Sequence, residues 1–289
     1  LTAQTSYTLI DPQTKKLAFK VFIFDDASYF KQLKNYNYYT IILVLEGEGK
    51  VRADFSDYNF YDGNLMCFGI YQPFMINTTG VFKGVLINFH PDFFCIHKHQ
   101  QEVACNGVLF NNIYETPVIQ LVDTEVQQLL LLVDQLKTEM QNAALAQYEL
   151  LVSYLKILLI SASRIKINQG IAELKMANEP FILKTLKHAI EEHYRIKHSP
   201  SEYSDMLNIS TRALNRISKA HFNKTLSGLI AERIIIEAKR ELYLTSKPVK
   251  TIAYELGFND EFYFSRFFKS NVAISPQYYR DTVGFAKAE

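Results

Sequence analysis

The chain has 289 residues, 48% hydrophobic and 21% charged, and its 31 Lys and Arg against 30 Asp and Glu leave a net charge of +1. This balance suits a soluble globular protein with a sizeable core, and the length predicts two domains. Three cysteines without CxxC spacing exclude a disulfide framework and point to a reducing compartment, and no apolar run reaches the roughly 18 residues of a transmembrane helix.

The opening LTAQTSYTLIDPQTKK has no basic segment followed by an apolar one, so a secretion signal is not expected and a cytoplasmic location is. Charge is unevenly spread. Residues 180–289 hold 17 Lys and Arg against 12 Asp and Glu, whereas residues 1–179 hold 14 against 18. A basic C-terminal third beside an acidic remainder fits a nucleic-acid reader attached to something else.

From about Leu17 to Phe94 the signals are those of short strands. KLAFKVFIF, YYTIILVLEGEGKVRADF and VFKGVLINF are rich in aromatic and β-branched residues, with turns at Gly47-Glu48-Gly49 and Asp62-Gly63-Asn64 and a break at Gln72-Pro73. Antiparallel strands of this length predict a small barrel or sandwich, able to hold a ligand in its mouth. Tyr38, Phe55, Tyr58, Phe68 and Tyr71 are the candidate lining of an effector pocket, with core packing as the alternative use of the same rings. Cys95, His97, His99 and Cys105 form the one cluster with metal-ligand chemistry, but zinc's usual paired spacing is missing, so no metal is expected there. All three thiols, Cys67 included, are expected as buried small hydrophobes.

After Pro117 the pattern turns helical. Val126, Leu129, Leu130, Val133 and Leu136 make one stripe, and Leu151, Leu155, Leu158 and Ala162 a second. Leu150, Tyr154 and Ile157 widen the second stripe beyond what one surface helix needs, so Leu151, Tyr154, Leu155 and Leu158 are candidates for pairing two subunits in a homodimer. A helix buried within its own domain is the alternative. Residues 167–180 read as a linker, with Gly170 and Pro180 as breaks. This places a first domain at 1–166 and a second at 181–289.

The second domain opens with an amphipathic helix, FILKTLKHAIEEHY. Ser199-Pro200-Ser201-Glu202 then reads as a capping box with proline at the first helical position. A short helix to about Asn208 and one capped by Ser210 follow, with Leu214 and Ile217 inward and Arg212, Asn215, Arg216 and Lys219 outward. A long helix over 226–244 presents Leu229, Ile234, Ala238 and Leu242 on one face. The helix–turn–helix pattern then repeats: IAYELGF, with Gly257 as the left-handed stop, and DEFYFSRFFK, capped by Asn259. In this last helix Phe264 and Phe267 are expected inward, and Phe262, Tyr263, Arg266 and Lys269 outward. Arginine suits guanine and asparagine suits adenine in the major groove, so two such helices predict binding to double-stranded DNA.

Over roughly Leu183 to Arg280 the chain resembles the AraC/XylS family of bacterial transcription regulators. The resemblance rests on IAYELGF, YFSRFFK and ISPQYYR in that order, preceded by Ala238 to Leu242. It implies seven helices with two helix-turn-helix units joined by a central helix, an activator's role with RNA polymerase as a partner, and base contacts from Arg212, Asn215, Arg216, Phe262, Tyr263 and Arg266. Ser218 stands where the family has a core phenylalanine, and Asn223 and Ala273 replace common glycines. The N-terminal half is similar to the family's cupin-like sensor, which implies a small effector. The fold class expected is therefore α+β: a cupin-like β-barrel with two dimerisation helices, then an all-α DNA-binding domain. No cofactor is expected, because the His-x-His of cupin enzymes is missing before His90. A cupin-fold enzyme, or a Cys/His metal or redox sensor with an appended DNA-binding domain, are the alternatives.

Overall fold

The computed structural model describes residues 4–12, 15–54, 56–103, 105–142, 144–176 and 180–283, without the side chains of 171–176. The chain divides into two units, residues 1–112 with 117–172, and residues 113–116 with 173–289.

Among the described residues of the first unit nine strands follow one another: β1 (Thr5–Ile10), β2 (Leu17–Phe24), β3 (Tyr39–Glu46), β4 (Gly49–Ala53), β5 (Ser56–Phe60), β6 (Asn64–Phe68), β7 (Phe74–Thr78), β8 (Lys83–Phe89) and β9 (Val118–Gln120). One sheet has the order β1-β2-β8-β3-β6-β9 and the other β5-β4-β7, with antiparallel pairing. The two-residue period sends Phe22, Phe24, Ile42, Val44, Met66 and Phe68 into a core shared with Val51, Phe60 and Ile76 of the smaller sheet. The opposite face of the large sheet is buried too, so β2, β3 and β8 read as nearly unbroken apolar runs.

Helices cover that second face. A short α1 (Gln100–Val103) precedes α2 (Asp123–Gln141) and α3 (Gln147–Met176). Ile41, Leu43, Leu65, Val85 and Ile87 of the sheet meet Leu129 and Val133 of α2 and Leu158 of α3 around one small gap. Leu136, Leu151, Leu155 and Ala162 are also buried in this layer. The dimerisation candidates Leu151, Leu155 and Leu158 are at most 2% exposed, Leu158 against the sheet, so this side of α3 has no surface to offer a second copy. Tyr154 is half-buried, its hydroxyl 3.2 Å from Gln135 Oε1. Leu150, Ile157 and Ile167, at 38%, 47% and 42% exposure, are aliphatic residues that α3 leaves open. Gly170 does not break α3, which continues through the first part of the expected linker; one glycine costs a long helix only about 1 kcal/mol. Residues 177–179 of that stretch lie outside the described residues. No helix among the described residues is long and apolar enough to cross a membrane.

The second unit is helical: α4 (Phe181–His193), α5 (Pro200–Leu207), α6 (Thr211–Phe222), α7 (Leu226–Leu244), α8 (Val249–Glu255), α9 (Glu261–Val272) and α10 (Pro276–Val283). All except α7 itself pack on α7. Leu229, Ile234, Ala238 and Leu242 are at most 1% exposed, so the expected apolar face of that helix is its buried face. Within this unit Glu237 of α7 is a buried carboxylate held by Arg195 and Arg240 at 2.8 Å and Arg233 at 3.4 Å. Burial opposes its charge, but Arg240, Arg233 and Arg195 outweigh burial and hold the carboxyl below its ordinary value. A depressed folded value means that the stabilisation is present above the unfolded value of 4.5 and fades as pH falls through the folded one. Thermal melts below that pH should therefore show a loss of stability that Glu237→Gln abolishes; an identical acid limb in both proteins would contradict this.

Candidate DNA-binding interface

Two helix-turn-helix units are built from local signals. In the first, Glu202 accepts hydrogen bonds from the backbone N–H of Ser199 (2.9 Å) and of His198 (3.0 Å), with Pro200 at the first helical position, as the capping box predicts. Asn208 ends α5 in the left-handed region at φ 53°, and Ser210 accepts from Ala213 N at 3.3 Å to start α6. In the second, Gly257 ends the α8 turn at φ 80°. The cap of α9 is Asp260 rather than Asn259: its carboxylate accepts from Phe262 N at 3.1 Å and Tyr263 N at 2.9 Å. A carboxylate there also suits the positive end of the helix.

On α6 the residues Arg212, Arg216 and Lys219 are exposed and share one face. Asn215 is placed differently. It is half-buried, and its Oδ1 accepts from Leu226 N at 3.0 Å, so its carbonyl serves the start of α7 instead of facing a base. Ile217 is half-buried, while Leu214 and Ser218 are fully buried. Ser218 Oγ donates to Lys224 O at 2.7 Å, and Phe222 fills the adjacent core against Tyr114. The small residue in the family's phenylalanine position is thus engaged in fixing the turn between α6 and α7.

On α9, Phe262 and Tyr263 are 67% and 57% exposed, and the Arg266 side chain is 71% exposed with Lys269 beyond it. Tyr263 touches the unit through Phe258, ring centroids 5.9 Å apart, but most of both rings stays open beside the exposed arginine. Phe264 is buried as expected, but the second core ring is Phe268, against Tyr279 at 5.8 Å, and Phe267 is half-buried on Phe258. The α7 between the units has 19 residues and so spans about 28 Å, commensurate with the ~34 Å turn of B-DNA.

Both recognition helices end on a residue in the left-handed region, Asn223 at φ 56° and Ala273 at φ 68°. The missing glycines have not changed these turns. Asparagine tolerates this conformation, whereas alanine bears a cost of about 1–2 kcal/mol. Ala273→Gly recovers that cost against roughly 0.4–1 kcal/mol of extra freedom in the unfolded chain. The variant should unfold at higher denaturant than the parent, and a lower midpoint would contradict the assigned backbone.

Sequence reasoning missed Arg280 as an anchor. Its guanidinium donates to the carbonyls of Lys247 (2.7 Å), Leu242 (3.1 Å) and Thr245 (3.4 Å), which fixes α10 at the C-terminal end of α7. The conspicuous arginine ending ISPQYYR was the available signal.

The remaining candidates lie in the first unit. Tyr38 is half-buried with its ring 5.8 Å from that of His90, and Tyr58 is half-buried against the core. Phe68 is buried and stacked on Phe74 at 4.1 Å, and Tyr71 is buried at φ 49° with its N–H donating to Tyr36 O. Phe55 lies outside the described residues. Cys95 and Cys105 are buried, and His99 Nδ1 sits 2.9 Å from Glu102 with its ring stacked on Phe94. Among the described residues no group of three or more His, Cys, Asp and Glu is placed to hold a metal ion. Burial pushes the Cys67 and Cys105 thiols up to about 12, far from the thiolate a redox sensor uses.

A helix-turn-helix domain family matches residues 203–282. The raffinose operon transcriptional regulatory protein RafR of Pediococcus pentosaceus is 30% identical over 95 residues, 33% of this chain and 34% of RafR. The HTH-type transcriptional activator RhaS of Salmonella schwarzengrund (strain CVM19633) is 28% identical over 160 residues, 55% of each chain. The matched stretch is thus about a third of one relative and about half of the other. The crystal structure of ToxT from Vibrio cholerae O395 aligns over 97% of both chains at 15% identity, with a TM-score of 0.39. Residues 203–282 of this chain thus belong to that helix-turn-helix domain family, and the matched relatives are transcription regulators.

Proposed function

We propose that this chain is a sequence-specific, DNA-binding transcription regulator and acts as an activator. The observation that carries the reading is the pair of helix-turn-helix units, each offering an exposed basic face on its second helix: Arg212, Arg216 and Lys219 on α6, and Arg266 and Lys269 beside Phe262 and Tyr263 on α9. Lysine and arginine contacts to phosphate supply most of the affinity, and the arginines that reach base edges supply the specificity. The activator's sign follows relatives such as RhaS, named as an activator, and RNA polymerase as a partner follows the resemblance to the AraC/XylS family alone.

The first unit is the sensor in this reading, a cupin-like barrel whose small effector shifts the population of chains competent to bind DNA. A homodimer pairs through α3 by its open apolar residues Leu150 and Ile157, with Tyr154 between them. Residues 1–166 and 181–289 keep the sensing and DNA-binding roles given above, and a cytoplasmic location goes with them. The reading requires no enzyme activity. Capture of sheared genomic DNA by the full chain, followed by sequencing, tests it. Enrichment of a few discrete sites upstream of genes is expected; uniform recovery of all fragments would contradict it.

A further inference from the structure

The two recognition helices repeat one another position by position, yet they carry different chemistry at the front of their outward face. Each starts from a side-chain cap, Ser210 for α6 and Asp260 for α9. Four places after the cap both bury an apolar side chain, Leu214 and Phe264, each at 0% exposure. Six places after it both expose an arginine, Arg216 and Arg266, and nine places after it a lysine, Lys219 and Lys269. Two places after the cap the match fails. Both residues are exposed there, but α6 has Arg212 and α9 has Phe262.

The surroundings of Phe262 say what it can meet. Asp260 accepts from the backbone N–H groups of Phe262 and Tyr263, so its carboxylate stands at this end of α9, with Glu261 next to it. Two carboxylates repel phosphate, so this end suits the base edges better than the backbone. Phe262 and Arg266 are four residues apart and therefore share one helix face. Four residues advance about 6 Å along a helix, less than two base-pair steps of about 3.4 Å. An apolar ring that enters the major groove beside a base-reading arginine finds one apolar group there, the thymine C5-methyl. Arg212 offers hydrogen-bond donors at the same place in α6, which suit guanine instead.

We propose that Phe262 is a specificity-determining residue that packs on the methyl group of a thymine, within about two base pairs of the base read by Arg266. The methyl requirement belongs to the α9 segment of the site alone, because α6 carries arginine at the matching place. The two heads thus read with different codes: hydrogen bonds from two arginines in one, a methyl contact and an arginine in the other. This deepens the DNA-binding reading above and rests on it.

Duplexes carrying the motif that the full chain selects from a random pool test this, with deoxyuridine replacing each thymine in turn. Deoxyuridine keeps every hydrogen-bonding group of thymine and lacks only the methyl. The position that Arg266→Ala relaxes marks the segment under α9. One substitution close to it should weaken binding by the full chain about fourfold, the worth of one buried methyl group. Substitutions in the α6 segment should leave binding unchanged. Phe262→Ala should bind the thymine and deoxyuridine duplexes equally, about fourfold or more below the parent on thymine. Its Tm should match the parent's, because the ring it removes is 67% exposed. A selected motif without thymine near that position, equal binding of both duplexes by the parent, the same methyl dependence in the α6 segment, or a methyl preference that persists in Phe262→Ala would each overturn the proposal. All four leave the regulator reading standing, whereas a chain that selects no motif at all would defeat both.

Discussion

Gly257→Ala is expected to destabilise the second helix-turn-helix unit by on the order of 3 kcal/mol. Two causes act together. Gly257 holds φ 80°, where an L side chain is strained, and a Cβ there would stand 2.1 Å from the carbonyl oxygen of Arg195. That oxygen belongs to backbone, so the contact is not relieved by a rotamer change. The segment between α4 and α5 has to move, and with it the packing of α8 on α7. Hydrogen exchange should show α8 and α9 opening far more readily in the variant, while the strands of the first unit keep their protection. Unchanged exchange in α8 and α9 would contradict the close approach.

Arg266→Ala is expected to cost about 1–3 kcal/mol of DNA affinity, concentrated at one base pair of the preferred site. The side chain is 71% exposed and its nearest carboxylate, Asp260, is 3.9 Å away, so the fold does not depend on it. Folding stability should therefore be unchanged and the loss confined to binding. Titrations against a panel of single-base substitutions in the preferred duplex distinguish the roles. Loss of discrimination at one position marks a base contact, whereas uniform weakening across the panel with a shallower salt dependence would make Arg266 a phosphate contact.

The second helix-turn-helix unit was largely legible in the sequence because its signals are local. A glycine at the left-handed stop, a capping acid or amide and helical spacing of the aromatics all act within a few residues. The misses fall where two neighbours satisfy the same local rule. Asn259 and Asp260 are both good caps, and the backbone chose the aspartate. Phe267 and Phe268 both follow Phe264 at helical spacing, and Tyr279 of α10 decides which is buried. Asn215 has the right chemistry for adenine, but the unpaired N–H groups at the start of α7 claim its carbonyl.

Less of the first unit could be read. Strand existence follows from alternation and turn residues, yet which rings fill the core depends on register across two sheets. Phe68 and Tyr71 therefore went to a candidate pocket although both are buried. Lys20 was visible as the one charge within LAFKVFIF. Lys34 lies 14 positions away in a loop, and only its backbone pairing with Phe74 brings the two ammonium groups to one ring, that of Tyr29.

Two reading heads on one short domain should each select their own bases, and selection of bound sequences from a random duplex pool measures this. The full chain, Arg212→Ala and Arg266→Ala would be run in parallel. The parent should enrich a motif of two major-groove segments about one turn, roughly 10 base pairs, apart. Each variant should relax one segment and leave the other intact. No enriched motif from the parent, or the same uniform weakening in both variants, would contradict the account.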